Sequence, residues 1–482
     1  MRWCWGVWTI LVLVTATRAG PRPDPKDVAA AIDRQVARKL QENNVSPAPA
    51  CDDATFFRRI NLALGGRVPV TADVRTFLAD ADPDKRIKAV EKLLASPAFA
   101  NYQTATWRGW LLPEAQTVPE VANAVPAFEA WLRNRIRHDE PYDRFVSELL
   151  AAPLDGTRAG RRAVADDDPD ATNGPIAFFT AKEGKPENLA AATARLFLGM
   201  RLECAQCHDH PFAKWTRDQF WGLAAFYGGV TRSNGALREV FDRRELPVPN
   251  RDRAVSATFL DGKEPEWRFK KSPRATLAAW VTSAENPFFA RAAVNRLWAL
   301  MFGVGIIDPV DDAHEKNPPS HPELLQELSR ALVDSGFDTK FILRAICRSE
   351  TFGRSSSADN PGQRDVRLFA RFPVQGLTPE QLYDSLQVVA GNPPDGSGGN
   401  YLQAAGTPRR QFMETFALSG SKTDTQTTII QALALMNGDL VGSATVFESS
   451  RTLGAVVELP GLTPAERVEA LYLAALGRPR RA

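Results

Sequence analysis

Cysteine and histidine are both scarce, five of each in 482 residues. That excludes a disulfide-stapled scaffold, which packs many cysteines into a short chain. Charge of one sign is missing too: Lys and Arg number 59 against 57 for Asp and Glu. So close a balance leaves no basic footprint for nucleic acid and no field that would gather a polyanion, so no nucleic-acid partner is expected. Past the N-terminus no apolar run approaches the roughly 20 residues that a membrane span needs, so none is expected in the mature chain. No short-period repeat runs through the sequence.

What is present begins with the opening, MRWCWGVWTILVLVTATRAG. Arg2 supplies a positive start, residues 3–16 are mostly apolar, and Thr17-Arg18-Ala19 ends on the small residue that a signal peptidase prefers. We expect residues 1–19 to be a secretory signal cut after Ala19, and the mature protein to be periplasmic or extracellular. Arg18 inside the cleavage site leaves an uncleaved anchor as the alternative. Cys4 departs with the signal, so Cys51, Cys204, Cys207 and Cys347 meet an oxidising compartment. Pairing of Cys51 with Cys347 and two separate buried thiols both remain open.

The remaining chain is rich enough in apolar residues, 44% with 11 Trp and 26 Phe, to build sizeable cores. Its pattern is helical. Val28, Ile32, Val36 and Leu40 recur every four residues, one stripe of an amphipathic helix. Asp52 and Asp53 open a helix that stops at Gly65-Gly66, and two short helices follow, opened by Thr71 and by Asp residues. A helix pair is expected to hinge near Pro141, with His138 at a helix end on the surface. Residues 154–175 read as a long polar loop. From Lys185 the period predicts one helix carrying Leu189, Leu196, Met200 and Cys204 on a single face. Short alternating runs over 237–270, with an Asp261-Gly262 turn, predict a small β hairpin or meander. Helical periodicity returns from about 272, with Ser320 and Glu323 as a capping box and a Gly/Pro loop at 391–400.

The expected fold is therefore mainly α, two helical domains with a small β segment between them. The divisions are 1–19 for the signal, 20–232 for the first helical domain, 233–271 for the β segment and 272–482 for the second domain. The last helix runs into Arg478-Pro479-Arg480-Arg481-Ala482, so we expect the second domain's pattern to be truncated at this end.

Against the general scarcity, the stretch ECAQCHDHPFAKW (203–215) holds two cysteines and two histidines within seven residues. The spacing Cys204-x-x-Cys207-His208 is that of covalent haem attachment. Two thiols three apart can each add to one haem vinyl group, and the next residue then lies under the iron as proximal ligand. Two other readings stay open: a Cys204–Cys207 disulfide beside ordinary histidines, and a metal held by Cys204, Cys207, His208 and His210 without haem. Phe212, Trp215, Phe220, Trp221, Phe226 and Tyr227 could wall a porphyrin or simply form core. Thr216 and Gln219 form a second capping box. Candidate sixth ligands are Met200, His314, His321, Met413 and Met436. A second cluster, IIDPVDDAHEKNPPSHPELL, brings Asp308, Asp311, Asp312, His314, Glu315 and His321 together. It could hold a divalent metal or be a solvated loop that caps helices.

These residues resemble a known pair of domains. LGMRLECAQCHDHPFAKWTRDQFWGLAAFYGGV, with FFRRINLALGGRVPV and AVEKLLASPAFANYQTATWRGWLL, is similar to the planctomycete-specific cytochrome-like domain. The segment from FARAAVNRLW through DPVDD and NPPSHPELL to RSETFGRSS, together with TTIIQALALMNG, resembles its companion planctomycete-specific domain. The resemblance implies two exported domains of unknown function, the cytochrome label resting on Cys204, Cys207 and His208. It also matches Asp311, Asp312 and His321, and departs at His314. The leading expectation is thus an exported c-type haem protein with redox or electron-transfer work and a redox partner. In it Cys204 and Cys207 are the anchors and His208 the proximal ligand. The alternative is a non-haem module that binds or processes an extracellular substrate, a polysaccharide among the candidates, through Asp311, Asp312 and His321. His210 is a secondary metal candidate.

Overall fold

The computed structural model describes residues 22–154, 174–233, 235–269, 271–392, 407–417, 423 and 428–480. The expected signal at 1–19, most of the polar loop at 154–175 and most of the Gly/Pro loop at 391–400 lie outside the described residues.

The architecture is mainly α. The first helix, Pro25–Glu42, is capped by the Asp24 carboxylate, which accepts from the Lys26 N–H, and buries the predicted stripe of Val28, Ile32, Val36 and Leu40. Each of those side chains contributes about 1.5–3 kcal/mol when taken from water. Asp52 caps Asp53–Gly65, and Gly66 ends it with a left-handed φ of 72°. The next two helices, Thr71–Ala79 and Lys85–Leu94, lack a side-chain cap: the residues at their N-caps are Val70 and Asp84. Both pack against the Asp53–Gly65 helix. The predicted pair at Pro141 is Pro119–Arg137 and Tyr142–Leu150, with His138 exposed at the C-cap of the first.

The β segment is two separate antiparallel hairpins, β1 (Val230–Ser233) with β2 (Ala236–Glu239) and β3 (Glu245–Pro247) with β4 (Ala254–Ser256). Their registers pair Val230 with Glu239 and Leu246 with Val255. The chain then returns to helices: Pro273–Val281, Phe289–Phe302, Pro322–Asp334, Thr339–Arg348 and, further on, Pro379–Ala390. Among the described residues no helix is long and apolar enough to cross a membrane.

One hydrophobic core runs through both halves. The Pro25–Glu42 helix lies on Pro322–Asp334 and Thr339–Arg348, and Tyr142–Leu150 lies on Pro273–Val281. Polar anchors follow the same seams. Asp33 accepts from the Glu350 and Thr351 N–H groups at 2.9 Å each. The fully buried Arg274 donates to the Leu150 and Ala152 carbonyls at 3.1 and 2.9 Å and pairs with Glu239.

The capping box expected at Ser320 does not form. Pro322 takes the first helical position, which moves the N-cap to His321, and no side-chain cap is made there. Ser320 Oγ donates to the Ile306 carbonyl instead, and Glu323 pairs outward with Arg38 at 2.7 Å. Cys51 and Cys347 are both buried and both free thiols.

Candidate functional site

The helix leading to the cysteines is shorter than its periodicity predicts. Pro186–Thr193 passes into a single π turn, Ala194–Leu198, and Gly199 stops it with φ 71°. A π turn widens the helix by one residue and breaks its phase, and glycine adopts left-handed backbone without steric cost. Leu189, Leu196 and Met200 stay buried, but Cys204 falls off their stripe. The cysteines sit on a separate 3₁₀ turn, Glu203–Gln206.

That turn is pegged at its centre and open at its ends. Leu202 and Ala205 are buried, whereas Cys204, Cys207 and His208 are exposed and both thiols are free. The helix Arg217–Ala225, started by the predicted Thr216/Gln219 capping box, holds the loop from behind. The Gln206 carbonyl accepts from Trp221 Nε1 at 3.1 Å and from Arg217 Nε at 3.3 Å. Asp209 accepts from the Arg217 N–H at 2.8 Å, and the His210 N–H donates to the Trp215 carbonyl at 2.8 Å.

The imidazoles differ in what they offer. His208 Nδ1 lies 2.7 Å from the Asp209 carbonyl. That carbonyl can only accept, so Nδ1 carries the proton and Nε2 keeps a free lone pair. His210 Nδ1 accepts from the Phe212 and Ala213 N–H groups at 3.2 and 3.0 Å, which fixes the opposite tautomer.

The aromatic residues that follow the motif split into two sets. Phe220, Trp221, Phe226 and Tyr227 are buried core; Phe226 stacks on Phe259, and the Tyr227 hydroxyl shares a 2.7 Å hydrogen bond with Thr193. Phe212 is exposed, and Trp215 forms a corner with Phe288, their ring centroids 6.1 Å apart at 71°.

The acidic loop comes back to this region. Asn295, buried in the Phe289–Phe302 helix, holds Ile307 through both its amide groups at 2.9 and 2.8 Å. The loop then reaches the cysteine segment: the Ala313 N–H donates to the Gly199 carbonyl at 3.0 Å, and Asp311 accepts from Arg201 Nε and Nη2 at 3.0 and 2.7 Å. His314 stands 6.5 Å, ring to ring, from His210, with its Nε2 3.7 Å from Asp312. Asp311 is thus spent on Arg201. His321 is buried against Phe369, with Nδ1 3.0 Å from Ser320 Oγ and Nε2 without a partner among the described residues. Burial, with Lys39, Arg367 and Arg38 adding to it against Glu323, pushes its pKa down to about 4. Among the described residues no three His, Cys, Asp or Glu side chains form a group that could hold a metal ion. Of the candidate sixth ligands, Met200 and Met413 are buried and Met436 is exposed.

Beside the acidic loop, against the residues on either side of the cysteine turn, lies a cavity of about 300 Å³, lined by Met200, Lys214, Trp215, Phe288, Arg291 and His314 among others. Neither thiol nor His208 is in its walls. Of this lining, Met200, Trp215, His314 and Glu315 are among the residues singled out from the sequence. Arg291 carries no sequence signal, because what sets it apart is the lack of a hydrogen-bond or ion-pair partner among the described residues.

Residues 31–232 match the family PSCyt2, described as a protein of unknown function (DUF1549), and residues 273–414 match PSD1, likewise of unknown function (DUF1553). No curated protein and no solved structure matches the chain. The chain thus carries a PSCyt2 domain followed by a PSD1 domain, the order of the planctomycete-type pairing.

Proposed function

We propose that this is an exported c-type haem protein working in one-electron transfer. Cys204 and Cys207 are the covalent anchors and His208 the proximal ligand. The observation that carries the reading is the His208 tautomer: a backbone carbonyl at 2.7 Å from Nδ1 leaves Nε2 as a free donor. Metal-bound histidines are commonly oriented by this kind of outer hydrogen bond.

The donor set fits the group. Both thiols are free and exposed, so each can add across a vinyl double bond, sulfur to one carbon and the thiol proton to the other, with nothing lost. The buried aromatic residues behind the turn are committed to core, so the anchoring atoms lie at the surface and no dry pocket encloses them. When bound, haem supplies a one-electron couple, and solvent exposure is one of the factors that sets its potential. The chain's own part is to hold the turn rigid through Gln206, Asp209 and Arg217, and to keep His208 in the ligating tautomer.

The test is expression into the periplasm with a cytochrome c maturation system, followed by a pyridine haemochrome spectrum. One covalent haem per chain is expected. Cys204→Ala weakens attachment, and His208→Ala removes the spectrum of a histidine-ligated iron. A protein that matures without covalent haem under these conditions overturns the proposal. A non-haem binding module is the second reading; the cavity beside the acidic loop supports a binding role, though its walls contain none of Asp311, Asp312 and His321.

A further inference from the structure

We propose that the cavity walled by residues 198–200 and 214–215, the start of the Phe289–Phe302 helix and the 307–319 loop binds a small aromatic carboxylate, with Arg291 as the carboxylate's counter-ion. Arg291 lies in the first turn of the Phe289–Phe302 helix, half-buried in the cavity wall. Among the described residues it has no hydrogen-bond or ion-pair partner, and burial alone holds its pKa below the ordinary arginine value. Other guanidiniums of this region are spent otherwise: Arg201 on Asp311 and Arg296 on the Arg195 carbonyl. The guanidinium keeps part of its water but has no counter-charge beside it, and partial desolvation of a cation is unfavourable. A ligand carboxylate would supply that charge in bidentate geometry.

The rest of the wall sets the ligand's body and charge. Trp215 and Phe288 meet nearly at right angles, a corner that takes an aromatic ring edge-on to one and face-on to the other. Asn295 also lines the cavity, but its amide is already committed to Ile307. At the exposed rim stand Lys214, whose ammonium is 5.6 Å from the Trp215 ring centroid, and Glu315. One half-buried cation with a rim lysine and a rim glutamate suits a monoanion better than a phosphate. A volume of about 300 Å³ is at the small end of ligand pockets.

The site uses none of Cys204, Cys207 and His208, so it stands apart from haem attachment. The experiment is ¹⁹F NMR titration of the full chain with 4-fluorobenzoate and, separately, 4-fluorobenzamide, which has the same ring without the charge. Saturable one-to-one binding of the benzoate is expected, with the amide at least tenfold weaker. Arg291→Met should weaken benzoate binding at least tenfold, with the melting temperature unchanged. Absence of saturable benzoate binding to the unmodified chain, or equal binding of the amide, overturns the proposal without recourse to any variant. So does undiminished binding by a folded Arg291→Met protein.

Discussion

Acidification should reach this protein through His321. Its folded pKa lies near 4 because the ring is buried, with Lys39, Arg367 and Arg38 nearby and one nitrogen unpartnered. In the unfolded chain the same ring titrates near 6.5. The folded pKa is depressed, so the stabilisation is complete above about pH 6.5 and is lost as pH falls toward 4. A gap of about 2.5 in pKa, at about 1.4 kcal/mol for each, amounts to roughly 3 kcal/mol in the limit. Applied at pH 4.5, the same linkage removes about 2.5 kcal/mol relative to pH 8. The comparison is with His321→Leu, which keeps the apolar packing on Phe369 and cannot titrate. It forfeits the Ser320 hydrogen bond, about 1 kcal/mol at every pH. Urea titrations at pH 8, 6 and 4.5 should show the unmodified chain losing about 2.5 kcal/mol more than the variant over that range. The chain has only five histidines, so single substitutions suffice to assign their ring resonances. Parallel pH curves for the two proteins, or a His321 ring that titrates near 6.5, would refute the reasoning.

Two further outcomes follow from the seams. Arg274→Met leaves Glu239 buried without its cation and two carbonyls unpaired, and should cost about 3–5 kcal/mol in urea denaturation; adding Glu239→Gln should recover part of that loss. Gly199→Ala forces a side chain onto φ 71° and sets its Cβ 3.2 Å from the Ala292 Cβ. The left-handed backbone alone should cost about 1–2 kcal/mol, and because the Gly199 carbonyl holds Ala313, binding of 4-fluorobenzoate should weaken with it.

Periodicity reported the helices well because the pattern that defines a helix also decides what it buries. The Val28, Ile32, Val36 and Leu40 stripe is as buried as its spacing requires. Local backbone exceptions were harder to read. The Leu189–Leu196–Met200 period continued on paper to Cys204, and the π turn with Gly199 broke its phase. Ser320 and Glu323 had the spacing of a capping box, but Pro322 claimed the first helical position and moved the cap by one residue. In the candidate site, Cys204, Cys207 and His208 were legible because they are neighbours in sequence. The approach of His314 to His210, and the solitary charge of Arg291, depend on residues about a hundred positions apart. No local signal encodes such a distance.

The pairing of the two domains has a physical basis in this fold. Each matched range covers apolar surface of the other. The Pro25–Glu42 helix, most of which lies in the first range, buries its stripe on Pro322–Asp334 and Thr339–Arg348 of the second. Tyr142–Leu150 does the same on Pro273–Val281, with Arg274 donating across the seam to Leu150 and Ala152. Separation would expose both stripes and strand a buried guanidinium, so a half expressed alone should be marginal or insoluble. The cavity depends on the same union. Met200, Lys214 and Trp215 come from the first range and Phe288, Arg291 and His314 from the second, with the Asp311–Arg201 and Ala313–Gly199 contacts closing the join. Selection on whatever enters that cavity would therefore act on both ranges at once, and this gives a chemical reason for them to travel together beyond the stability they share.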